Sequence, residues 1–185
     1  MISYDLPTSA EINGITYAIR SDYRAILDVM EVMGDTTISD EDRTIISLTI
    51  FYDGFDHMPI GDFQAAIDYM KWFVNGGTES RKGGSSLRLM NWQQDFKLIA
   101  SPINHILGYE VRAAEYVHWW TFLGAYMEIG DCTFAQVVSI RKKRAQGKKL
   151  DKQEQQFYRD NVDLIEIRVQ ETDEEKALFD EWMNI

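Results

Sequence analysis

The sequence predicts a mainly α protein, a helical domain with an N-terminal β-hairpin, and three observations carry that prediction. Apolar residues recur at three- and four-residue spacing through most of the chain. Capping residues and glycines punctuate those runs, and one Asn-Gly pair near the start lies between alternating apolar side chains. With 185 residues and 45% hydrophobic composition, the chain is able to bury one full core.

The Asn-Gly pair is Asn13 and Gly14 in SAEINGITYAIR. Both central residues of a tight primed turn need positive φ, which these two types tolerate, so Ile12 on one side and Ile15, Tyr17 and Ile19 on the other read as hairpin strands. A lone hairpin is marginal in water and must pack on something.

Helices come next. Tyr23, Ile26, Leu27, Met30 and Met33 recur at helical spacing, with Ser21 as the expected cap and Gly34 as the stop. Ser39 opens a second helix, because Asp40, Glu41 and Asp42 put negative charge at the positive end of its dipole. HMPIGD reads as a loop. Asp62 is then the expected cap of a third helix, FQAAIDYMKWFVN, with Phe63, Ala66, Ile67, Met70 and Phe73 or Val74 facing inward and Gly76 and Gly77 ending it. GGTESRKGGSS, residues 76–86, has four glycines and no large apolar side chain, which predicts a flexible linker.

A fourth helix is expected from Asn91 to Leu107, kinked or broken at Pro102 and ended by Gly108. EYVHWWTFLGAYMEIGD, Glu115 to Asp131, reads as the fifth, with Gly130 as its stop. Thr133 is the expected cap of a sixth, and Asp151 begins a short seventh, KQEQQFYRDN. VDLIEIRVQ alternates like a strand. Thr172 and Glu175 have capping-box spacing ahead of EKALFDEWMN, a terminal helix. The helical domain is therefore placed at 1–161, with a separate segment at 162–185.

A net charge of -11 disfavours a polyanionic partner globally. The single cysteine, Cys132, excludes an internal disulfide framework and a cysteine-rich zinc module, which predicts a reducing compartment. The start, MISYDLPTSAEING, lacks the basic and apolar regions of a signal peptide, and no stretch reaches the apolar length of a membrane span. The expectation is a soluble, intracellular protein without a membrane partner.

Glu115 and His118 have the Glu-x-x-His spacing of carboxylate-bridged dinuclear metal sites. His57 and His105 have no glutamate three residues before them, so half of that ligand set is missing. No metal site and no cofactor are expected. His118 is read as a helix-face residue with a local hydrogen-bond partner, Glu115 being the nearest candidate. No nucleophile elbow, P-loop or dinucleotide fingerprint occurs, so no catalytic residue is assigned and no enzyme is expected.

Two features remain as candidate partner-binding residues. Trp119, Trp120 and Phe122 lie in a helix that is apolar nearly all round, which fits a central helix or one that is core on one side and interface on the other. Ile140 to Lys152 holds seven of the nineteen basic residues against one aspartate, with Arg141, Lys142, Lys143, Arg144, Lys148 and Lys149 at its centre. Such a cluster suits an acidic protein surface, a second copy of this acidic chain included, or a phosphate backbone. Aromatics for base stacking are absent from the stretch, so nucleic acid is the alternative reading.

HWWTFLGAYMEIGDCTFAQVVSIRKKRAQGKKLDKQEQQFYRDN resembles the signature region of the bacteriophage gene-product-fifteen family, encoded in tail gene clusters of siphophages and prophages of Gram-positive bacteria. LMNWQQDFKLIASPIN and YDLPTSAEINGITYAIRSDYR resemble its other two shared blocks, so the likeness spans Tyr4 to Asn161. The resemblance implies a tail assembly chaperone or scaffold in the host cytoplasm. It would self-associate as a homo-oligomer and bind the tape-measure protein and tail-tube subunits during tail morphogenesis. The resemblance brings no catalytic or metal residues with it.

Overall fold

The computed structural model describes residues 5–79 and 89–167. A hairpin of β1 (Ser9–Ile12) and β2 (Ile15–Ala18) leads into α1 (Tyr23–Gly34) and α2 (Asp40–Phe51). Two short 3-10 turns, Phe55–His57 and Ile60–Asp62, replace the expected loop ahead of α3 (Phe63–Val74). The rest is α4 (Trp92–Leu107), α5 (Trp119–Met127), α6 (Thr133–Ala145), α7 (Lys152–Asp160) and α8 (Val162–Ile165). The protein is mainly α with an antiparallel N-terminal hairpin, as the sequence predicts.

Ile12 pairs with Ile15 across the turn, and Asn13 (φ 51) and Gly14 (φ 83) both take the left-handed conformation that the Asn-Gly pair predicts. The hairpin's anchor is a residue assigned another job by the sequence. Asp62 makes no capping bond to α3. Its carboxylate accepts from Asn13 Nδ2 at 2.7 Å and from the Tyr17 hydroxyl at 2.8 Å. Tyr69 of α3 also donates to the Ser9 carbonyl at 2.9 Å. Two marginal strands are thereby fixed to a helix.

α1 packs along α2, α2 meets α3, and α5 lies against α1 and α4. Their shared core is aromatic: Tyr23 and Phe122 stack at 4.5 Å between ring centres, and Phe51, Phe73 and Trp119 are fully or almost fully buried. α6 and α8 enclose a smaller cluster of Val137, Ile140 and Ile165.

Some boundaries differ from expectation and others agree with it. Asp22, not Ser21, caps α1, its carboxylate accepting from the Arg24 N–H at 3.0 Å. α4 runs through Pro102 without ending. Cys132 rather than Thr133 is the N-cap of α6, and it makes no side-chain capping bond. Asp151 forms a full capping box with Glu154. The predicted strand at 162–170 is instead a helical turn over Val162–Ile165. Beyond residue 167 that stretch, and the terminal helix of EKALFDEWMN, lie outside the described residues. So do residues 80–86 of the predicted linker, whose first two glycines form a tight turn.

Candidate partner-binding site

The stretch leading into α5 is a junction, and its conformation is set by residues far away in sequence. The helix predicted from Glu115 begins only at Trp119 because Val117 and His118 are held extended. The Val117 carbonyl accepts from the Tyr23 N–H at 2.9 Å, and the Trp119 N–H donates to the Ser21 carbonyl at 2.8 Å. Between them Asp22 and His118 form a β-bridge. Asp22 also accepts from the Val117 N–H at 2.9 Å, so one carboxylate caps α1 and fixes the entry to α5.

His118 is the N-cap of α5, which corrects its expected place on a helix face beside Glu115. Its Nδ1 accepts from the Trp120 N–H at 3.0 Å, and its Nε2 lies 3.0 Å from the Pro7 carbonyl. A carbonyl only accepts, so Nε2 carries the proton and Nδ1 presents its lone pair to the helix. Both ring nitrogens are engaged and the ring is buried, while Glu115 is exposed. The two residues do not converge on a common point of coordination. Among the described residues no group of three histidine, cysteine or acidic side chains is placed to hold a metal.

Losing an N-cap costs about 1 kcal/mol. His118→Ala is expected to lower the unfolding free energy by about 1–2 kcal/mol in urea denaturation, and His118→Asn, a good capping residue, should recover a large part of that loss. Equal effects of the two substitutions would count against the capping role.

The adjacent tryptophans serve the end of another helix. The last carbonyls of an α-helix have no partner within it. Here Trp119 Nε1 donates to the Val74 carbonyl and Trp120 Nε1 to the Phe73 carbonyl, each at 2.9 Å. The chain then turns through Gly76 (φ 68) and Gly77 (φ 80). A Cβ on Gly77 would come within 3.0 Å of the Trp120 ring, and one on Gly76 within 3.0 Å of Leu123. This end of the expected linker is pressed against α5.

Trp119 (1% exposed) and Phe122 (0%) are therefore core residues, which agrees with the central-helix place the sequence allowed and corrects their candidacy as exposed partner contacts. Trp120 is half-buried, edge-on to Trp72 at 5.4 Å. Exposed large side chains lie elsewhere: Tyr116, Met127, Ile106 and Tyr109 around α4 and α5, and Ile45 and Ile46 on α2.

The loop before α5 has its own brace. The Glu110 carboxylate accepts from Asn104 Nδ2 at 2.7 Å, from Arg112 Nε at 2.7 Å and from the Arg112 N–H at 3.1 Å. The Arg112 side chain above all, then its backbone N–H, holds the Glu110 carboxyl down to about 2. A carboxyl depressed in the folded state contributes stability above its unfolded range, and that contribution disappears as pH falls toward the folded value. Carbon-detected NMR titration is expected to show Glu110 still ionised at pH 3, and Glu110→Gln should remove the corresponding step from the pH dependence of stability. A Glu110 midpoint near the ordinary 4.5 would refute the brace.

The basic stretch divides in two. Arg141 is buried, a correction to its expected exposure: its guanidinium binds both oxygens of Asp95, at 2.6 and 2.9 Å, and donates to the carbonyls of Leu89, Leu164 and Ile165. Lys143 pairs with Glu154. Arg144 pairs with Glu166 and lies over the Tyr158 ring. Lys142, Lys148 and Lys149 are exposed and make no ion pair among the described residues. Of six candidate cations, three already have acidic partners within the fold, which weakens the basis for a phosphate-binding surface.

Asp95 and Asp22 are residues that sequence reasoning missed, and Asp62 is one to which it gave a different role. Each is an aspartate at a helix start whose partner is distant in the chain, and no local spacing reveals that.

No helix of the described residues is long and apolar enough to cross a membrane. Comparison with curated proteins and with solved structures finds no match. The family model described as Bacteriophage Gp15 protein matches residues 2–167, a span that includes every described residue. The chain belongs to that family: it is a bacteriophage protein, and its membership supports a structural or assembly-related role.

Proposed function

We propose that the protein is a tail assembly chaperone or scaffold, acting in the host cytoplasm, that self-associates and binds the tape-measure protein. The observation that carries this reading is membership of the Gp15 family across residues 2–167. The chemistry of the surface agrees with it. Large apolar side chains stand out on α2, α4 and at the end of α5, with Met127 71% exposed, which suits contact with amphipathic helices. Lys142, Lys148 and Lys149 give an acidic protein one basic turn for an acidic partner, another copy included. The function is binding, with no chemical step.

Light scattering of the pure protein, and co-expression with a tape-measure fragment, test the proposal. Association above the monomer and a solubilised fragment are expected, and Met127→Glu should weaken both. A strict monomer that leaves the fragment insoluble would reject it.

A further inference from the structure

Between α1 and α4 lies an open cleft of about 450 Å³, floored by Tyr23, Leu27, Trp92 and Phe96. Arg24, Arg112, Asp28 and Glu31 complete its lining. Gln93 of α4 donates to Glu31 of α1 across it. Its apolar floor has the size and character of a groove that receives alternate turns of a helix.

The path of the chain identifies an occupant. The Gln94 amide donates to the carbonyls of Asp163 (3.2 Å) and Glu166 (2.7 Å), so the last described residues are fastened to the first turn of α4. Arg144 and Tyr158 hold the Glu166 side chain. Trp92 and Gln93, the two residues before Gln94 in the sequence, line the cleft. From residue 167 the four residues 168–171 reach about 13 Å when extended, more than the roughly 10 Å breadth of the helix to be passed. The next stretch, TDEEKALFDEWMNI, combines the Thr172/Glu175 capping spacing with Leu178, Phe179, Trp182 and Met183, an apolar row at helical spacing. The family match stops at residue 167, so this segment is an addition to the part that defines the family.

We propose that segment 172–185 docks in the α1–α4 cleft of its own chain, with Phe179 and Trp182 over the floor formed by Leu27, Trp92 and Phe96. Arg24 and Arg112 are already engaged by Asp22 and Glu110, so apolar match selects the segment and charge only orients it. A partner helix that uses this cleft would have to displace the segment. The inference goes beyond the assembly role and does not depend on it.

Fluorine NMR of the full chain carrying 5-fluorotryptophan tests it, because the five tryptophans include one in the cleft and one in the segment. Trp92→Phe and Trp182→Phe assign the two signals. Leu178→Ser with Phe179→Ser is expected to shift the Trp92 signal while leaving Trp72, Trp119 and Trp120 unmoved. That variant alters no residue of the described fold, so it does not fail by unfolding it. Leu27→Ser is expected to shift the Trp182 signal, and both shifts should persist on dilution. A Trp92 signal indifferent to the segment overturns the proposal. Shifts that vanish on dilution also overturn it, since they would place the segment in the cleft of a second copy.

Discussion

Arg141→Ala is expected to lower the unfolding free energy by about 3–5 kcal/mol, against less than about 1 kcal/mol for an arginine in an exposed pair. The reason is what the substitution leaves behind. Asp95 has a side chain only 1% exposed, and without Arg141 it is a buried carboxylate with no counter-charge. The carbonyls of Leu89, Leu164 and Ile165 lose donors at the same time. These carbonyls belong to two places: the strand of chain entering α4, and two successive residues of α8. One guanidinium thus joins α4, α6 and α8, and its loss should release the end of the chain from α6. Asp95→Ala is expected to fall in the same range of about 3–5 kcal/mol, since it strands the guanidinium and removes the bond from the Asn91 N–H. Arg141→Lys keeps the charge but not the two-pronged geometry, so an intermediate loss is expected. Urea denaturation followed by circular dichroism measures all three. If Arg141→Ala costs no more than Lys142→Ala, the buried pair does not organise this end of the protein.

That pair marks the limit of what the sequence displays. Its local setting argued for exposure: Arg141 opens the run Arg141–Arg144, and basic residues at a helix C-terminus are ordinarily solvated. Its partner lies 46 residues earlier in another helix. The features that were legible are those whose cause is local. Asn13 and Gly14 announce the hairpin because the turn they form needs positive φ. Ser39 announces α2 because its hydroxyl accepts from the Asp42 N–H three residues on. Gly108 ends α4 in the left-handed conformation, and Asp151 with Glu154 starts α7.

The start of α5 went wrong for the opposite reason. Helical spacing continues back from Trp119 through Tyr116, yet Ser21, Asp22 and Tyr23 claim the backbone groups of residues 117 and 119, and the chain there is extended. Residues 162–167 alternate like a strand, but no strand among the described residues pairs with them. The Arg141 side chain takes the carbonyls of Leu164 and Ile165 instead. Of the candidate site, the residue types were legible and the side that each presents was not.

The two tryptophans, adjacent and alike in sequence, are expected to behave differently. Trp119→Ala should destabilise by about 3–5 kcal/mol, the range for emptying a large aromatic site in a core. Trp119 is 1% exposed, its ring lies 5.8 Å from that of Phe122, and its indole N–H is bonded to the Val74 carbonyl. Trp119→Phe keeps much of the ring volume but leaves that carbonyl without the donor, which predicts a smaller loss of about 1–3 kcal/mol. Trp120→Ala vacates a half-buried site, so its cost should fall below that of Trp119→Ala even though it too removes a donor from α3. The order Trp119→Ala, then Trp120→Ala, separates a core residue from a half-buried one by measurement. A partner-contact residue would show the reverse signature: binding lost with stability unchanged. If Trp119→Ala leaves the denaturation midpoint where it was and abolishes association, the helix is an interface at that position and Trp119 is not a core residue. The same comparison at Met127, which is exposed, is expected to give binding loss without a change in midpoint.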